Sequence, residues 1–88
     1  MTREEAKEIK ETFDALNVNR DALKGIIIDE LMLYTTVKGK PVCITQLLTD
    51  DQYIEIEAWV SGIIRDNIRH CERYLYDKGI TNMMLKGR

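Results

Sequence analysis

The chain has 88 residues, enough for one domain spanning residues 1–88 and too few for two. Hydrophobic residues make up 44% and charged residues 32%, with a single proline, a balance that argues against a disordered chain and lets helices run long. The net charge of −2 is unevenly spread: residues 1–59 hold seven basic and twelve acidic groups, and residues 60–88 hold six basic and three acidic groups. Such a dipolar chain suits either head-to-tail association or a basic end that meets an anionic partner.

The opening MTREEAKEIK has no apolar core of the kind a signal peptide needs, and the longest apolar run is Ile26–Ile28, far short of a membrane span. Two cysteines, Cys43 and Cys71, do not make a disulfide framework. The expectation is a cytoplasmic protein, in a reducing compartment, with both cysteines as thiols.

The first element is a helix beginning at Thr2. Its hydroxyl can cap the first turn, with Glu5 completing a capping box. Ala6, Ile9, Phe13 and Leu16 recur at helical spacing and form a narrow apolar stripe on an otherwise charged segment. The stretch NVNRD interrupts that pattern, and Asn19 reads as the cap of a second helix from about Arg20 to Thr35. Leu23, Ile26, Ile27, Leu31 and Tyr34 would give it a broad, enclosed apolar face. Gly25 in its interior costs about 1 kcal/mol relative to alanine.

Residues 35–44 admit two readings. Thr35–Val37 and Val42–Ile44 could pair as a small hairpin across KGKP. The favoured reading is a loop around Gly39, with Pro41 opening a short helix through Leu48.

Thr49 followed by Asp50 and Asp51 is a strong helix start, and Lys78–Gly79 a matching stop. One helix to about Asp77 would be roughly 40 Å long. Tyr53, Ile56, Val60, Ile63, Ile64, Ile68, Cys71, Tyr74 and Leu75 then share an arc of about 140°. The predicted fold is all-α: a small bundle of three main helices plus a short one, the C-terminal helix long.

Chemistry is sparse. His70 is the lone histidine and has no convincing relay partner. His70 and Cys71 are adjacent, so they point apart on a helix, and no paired-cysteine or His-Glu-x-x-His spacing occurs. The expectation is therefore no enzyme, no cofactor and no metal. A helix-turn-helix reading fails on charge, because the helix that would enter the groove begins with Asp50, Asp51, Glu55 and Glu57.

Two surfaces remain. Arg65, Arg69 and Arg73, four apart, face away from the apolar arc. With Lys78, Lys86 and Arg88 they form a basic ridge able to position a phosphate backbone without reading sequence. Trp59 lies on the shoulder of the arc, where it either closes the core against the first helix or stands as an anchor for another chain, and Asn67 lies within the arc. A tryptophan there suits an interface anchor, and an asparagine in an apolar stripe can set the register between two chains. Tyr74, Met83 and Met84 complete the protein-interface candidates. The functional expectation is a non-catalytic regulator, inhibitor or assembly subunit that binds another protein, as a homodimer. The alternative is a nucleic-acid accessory protein using the basic ridge.

Overall fold

The computed structural model describes residues 2–79. A helix α1 (Arg3–Ile28) leads through an extended stretch into strands β1 (Tyr34–Val37) and β2 (Lys40–Cys43). A 3₁₀ turn at Ile44–Leu47 then delivers the chain to the long helix α2 (Asp50–Asp77). The expected all-α bundle of three main helices is therefore overturned. There are two main helices, one 3₁₀ turn and one β-hairpin.

Three local causes account for the difference. First, NVNRD does not break the helix. The Asn19 side-chain amide donates to the Ala15 carbonyl at 2.7 Å and its oxygen accepts from Asn67 of α2 at 3.2 Å, while Arg20 pairs with Glu72 at 2.9 Å. Asparagine's weak helix propensity is a difference of well under 1 kcal/mol, and contacts to a second helix outweigh it. Second, α1 stops soon after Gly25, after the β-branched run Ile26–Ile28, where the Asp29 amide closes onto the Gly25 carbonyl at 2.9 Å. Ile27 and Ile28 are consequently exposed rather than enclosed. Third, Lys38 and Gly39 both adopt positive φ (50° and 80°), the geometry of a two-residue hairpin turn that matches strand twist. Val37 pairs with Lys40, Thr36 with Pro41, Thr35 with Val42 and Tyr34 with Cys43. Pro41 sits in a two-stranded ribbon at the position after the turn pair, where the ladder asks for no N–H. It starts no helix.

The hairpin is anchored at its base. The Ile44 amide donates to the Leu33 carbonyl at 2.7 Å, and the buried Thr45 hydroxyl accepts from the Leu33 amide at 3.4 Å. The Tyr53 hydroxyl accepts from the Leu31 amide at 2.8 Å, which ties the connection to α2.

The helix expected from Thr49 to Asp77 is present and unbroken through Gly62. Thr49 accepts from the Gln52 amide at 3.2 Å, and the Gln52 side chain returns the bond to the Thr49 amide at 3.0 Å. Gly79 leaves the helix at φ 90°. Helix α2 runs antiparallel to α1: Lys78 reaches Glu5 at 3.8 Å, Tyr74 reaches Glu8 at 2.9 Å, and Asn67 meets Asn19 midway. Their seam buries Ile9, Leu16 and Leu75, with Phe13, Ile68, Cys71 and Tyr74 packed partly around them.

That core is small for the chain. The radius of gyration is 16.6 Å, against about 12 Å for a compact chain of this length. The exposed area is 7107 Å², against roughly 5,400 Å² expected, an excess on the order of 1,700 Å².

Candidate protein-binding face

Helix α2 is rotated relative to its apolar arc. On a helical wheel the residues that α2 buries against α1, among them Ser61, Ile64, Ile68 and Leu75, centre about 50° away from the middle of its apolar arc. One edge of that arc is left at the surface. Trp59 is 67% exposed and Ile63 43% exposed on that edge.

The uncovered edge continues onto α1. Thr12, Ala15, Asn19, Ala22 and Ile26 are spaced by three and four and share the flank of α1 that faces the same way, as the Asn19–Asn67 hydrogen bond fixes. On α2, Ile56, Val60, Ile63, Asn67 and His70 repeat at the same spacing, and Tyr74 follows four residues on. The two rows lie side by side. Between Glu8 at one end and Asp29–Glu30 at the other, neither row carries a carboxylate, lysine or arginine, whereas the remaining faces of both helices are studded with them. The uncharged stretch on α1 is about 21 Å long.

Two open grooves lie along the seam on either side of the asparagine pair. The larger, about 620 Å³, is lined by Ala22, Gly25, Ile26, Val60 and Ile64 together with the Asp29–Met32 connection. The smaller, about 260 Å³, is lined by Thr12, Ala15, Cys71 and Tyr74 with Glu8 and Glu11. Alanine and glycine on α1 keep the floor low. Gly25 has open space where a Cβ would stand, so here it permits an approach from outside and is not filled by this chain.

The interface candidates read from the sequence divide accordingly. Trp59 is a surface residue and closes no core against α1. Asn67 is exposed and paired with Asn19. Tyr74 is half-buried, donates its hydroxyl to Glu8 and lies under the Lys78 ammonium, 5.6 Å from the ring centroid. The hydrogen bond to Glu8 holds the phenol's pKa above its ordinary value, helped by burial and by the charges of Glu8 and Glu5. Met83, Met84, Lys86 and Arg88 lie outside the described residues. Sequence reasoning missed the α1 row of the face. The three-and-four spacing of Thr12, Ala15, Asn19, Ala22 and Ile26 was its only signal, and small residues give little hydropathy contrast.

The basic ridge is on the outside of α2. Arg65, Arg69 and Arg73 are all exposed, and Asp66, Arg69, His70 and Arg73 border a shallow depression of about 520 Å³. Arg69 is paired with Asp66 one turn back. Lys78 belongs to the inter-helix pair with Glu5 and stands apart from the ridge. Cys43 and Cys71 are free thiols, and partial burial, with Glu72 alongside, raises the Cys71 thiol above its ordinary pKa, making it a poorer nucleophile. Among the described residues no cluster of three metal-ligating side chains occurs, and no helix is long and apolar enough to cross a membrane.

Compared with protein-family models, curated proteins and solved structures, the chain finds no match in any of the three. The functional reading therefore rests on the geometry alone.

Proposed function

We propose that this protein is a non-catalytic binding protein, a regulator, inhibitor or assembly subunit, whose uncharged two-helix face docks against another polypeptide. The observation that carries the reading is a pair of uncharged rows, one on each helix, that border two open grooves and leave Trp59 and Ile63 exposed beside them. Protein interfaces deplete charge at their centre and favour exposed aromatic anchors, here Trp59. In this reading the protein works in the cytoplasm, where Cys43 and Cys71 remain thiols.

The test compares two isoleucines of similar local structure. Ile63 lies on the face. Ile54 is 62% exposed on the opposite flank of α2. Ile63→Glu should lose capture of a binding partner from the source cell, while Ile54→Glu retains it at the wild-type level. Equal recovery by both variants would refute the face as the docking surface.

Nucleic-acid binding through the ridge is the weaker reading. The pairing of Arg69 with Asp66 leaves Arg65 and Arg73, both exposed, as the other arginines of the ridge among the described residues. Two such charges give a salt dependence with a log–log slope of only about −2 on duplex DNA. A steeper fall in affinity with salt, abolished by replacing all three arginines, would restore it.

A further inference from the structure

We infer that the open edge of β1 pairs antiparallel with β1 of a second copy, so that two β-hairpins join into one four-stranded sheet about an axis at Thr35. The surface is the hairpin's own and shares no residue with the rows of the two-helix face.

The edge is defined by the hydrogen-bond parity of the hairpin. The Ile44 amide donates to the Leu33 carbonyl, and Val37 and Lys40 flank the two-residue turn. The bonded pairs are therefore Leu33–Ile44, Thr35–Val42 and Val37–Lys40, and the residues between them turn their amides and carbonyls outward. On β1 these are Tyr34 and Thr36, which present two N–H donors and two carbonyl acceptors. No hydrogen bond to these four groups occurs among the described residues. On β2 the outward residues are Pro41 and Cys43, and Pro41 has no N–H to offer. Proline and lysine are common guards of a strand edge, and β2 carries both in Lys40 and Pro41. Strand β1 carries neither. Its residues Tyr34, Thr35, Thr36 and Val37 are all exposed and uncharged, and three of them are β-branched. One edge of the hairpin is closed to further pairing and the other is open.

Two features select a second copy as the occupant. The first is the hydrogen-bond match. A two-fold axis through Thr35, perpendicular to the sheet, sets Tyr34 opposite the other copy's Thr36 and Thr36 opposite its Tyr34. All of these face outward, so the donors and acceptors of both edges are satisfied together. The second is charge. Between residues 29 and 40 the charged side chains are Asp29 and Glu30 before the strand and Lys38 and Lys40 after it. The antiparallel axis brings the lysine-bearing tip of each hairpin toward the acidic entry of the other. A parallel pair would set Lys38 beside its own equivalent, and like charges in that position repel. Pairing also turns a two-stranded ribbon, marginal by itself, into a sheet of four strands.

The axis makes Thr35 its own neighbour. In a non-hydrogen-bonded antiparallel pair the Cα atoms stand about 4.5 Å apart, within disulfide range. In a Cys43→Ser, Cys71→Ser background, Thr35→Cys should therefore cross-link to its equivalent under mild oxidation and run as a dimer on non-reducing gels. Thr36→Cys, about 9 Å from its equivalent in this register, should not. Thr35→Lys sets two ammonium groups face to face on the axis. It should hold the chain at monomer mass in sedimentation equilibrium, where the wild type gives a dimer mass at concentrations on the order of 100 µM. Far-UV circular dichroism verifies that each variant keeps its helices. Equal cross-linking from positions 35 and 36 would mean collision without register and would overturn the pairing. So would a Thr35→Cys variant that gives no cross-link, a wild type of monomer mass, or a Thr35→Lys variant that associates as well as the wild type. Ile63→Glu alters neither strand, so its loss of partner capture is scored apart from this result.

Discussion

Replacing Leu75 by alanine should remove a large part of the stability of this fold. Leu75 and Leu16 are fully buried, and with Ile9 they are the buried residues of the only core cluster among the described residues. Losing three carbon atoms costs about 2.4 kcal/mol in transfer free energy, and the unfilled cavity adds more, so about 3 kcal/mol is expected. A chain of 88 residues is stabilised by about 4–13 kcal/mol, and a core this small belongs near the lower figure. The urea midpoint, followed by far-UV circular dichroism at fixed protein concentration, should therefore fall by more than half. Ile54→Ala, on the exposed flank, should shift it by no more than about 0.5 kcal/mol equivalent. A Leu75→Ala loss below about 1 kcal/mol would refute the seam, because it would mean that Leu75 does not sit between α1 and α2.

The other predictions concern the devices that hold the hairpin. Thr49→Ala removes the cap of α2 and should cost about 1 kcal/mol by the same urea assay, with Thr49→Ser recovering most of it. A double-mutant cycle on Arg20 and Glu72, each about a third exposed, should give a coupling of about 1 kcal/mol, where the more exposed pair Lys10 and Asp14 gives less than half of that. Tyr74 is an acid whose folded pKa is raised, so its contribution to stability is complete below the ordinary tyrosine pKa of about 10 and is lost as pH rises through the higher folded value. Ultraviolet titration should show one phenol ionising later than in unfolded chain, and Tyr74→Phe should remove that late component.

How far the sequence disclosed this molecule depends on which force decided each element. Helix α2 was legible because cap, periodicity and stop agree: Thr49 with Gln52, a three-and-four apolar recurrence, and Gly79. Helix α1 was misread at Asn17–Asn19 because the side-chain contacts that carry the helix across that stretch, Asn19 to Asn67 and Arg20 to Glu72, come from residues about fifty positions away. Local propensity of a few tenths of a kcal/mol per residue carries no information about them. The hairpin turned on Lys38 adopting positive φ, which a lysine does rarely, so Pro41 read more naturally as a helix opener. The face was only half legible. Trp59 and Asn67 drew notice by being out of place on α2. The α1 row, made of alanine, threonine and asparagine, did not, and nothing in one helix's periodicity tells which edge of a wide apolar arc its neighbour will cover.

Capture of a partner from the source cell by the wild-type chain, beside Ile63→Glu and Ile54→Glu with helices verified by far-UV circular dichroism, tests the central claim most directly. The account predicts that the wild type and Ile54→Glu recover the same partner and that Ile63→Glu does not. Equal recovery by the two variants, or no partner recovered by the wild type, would contradict it.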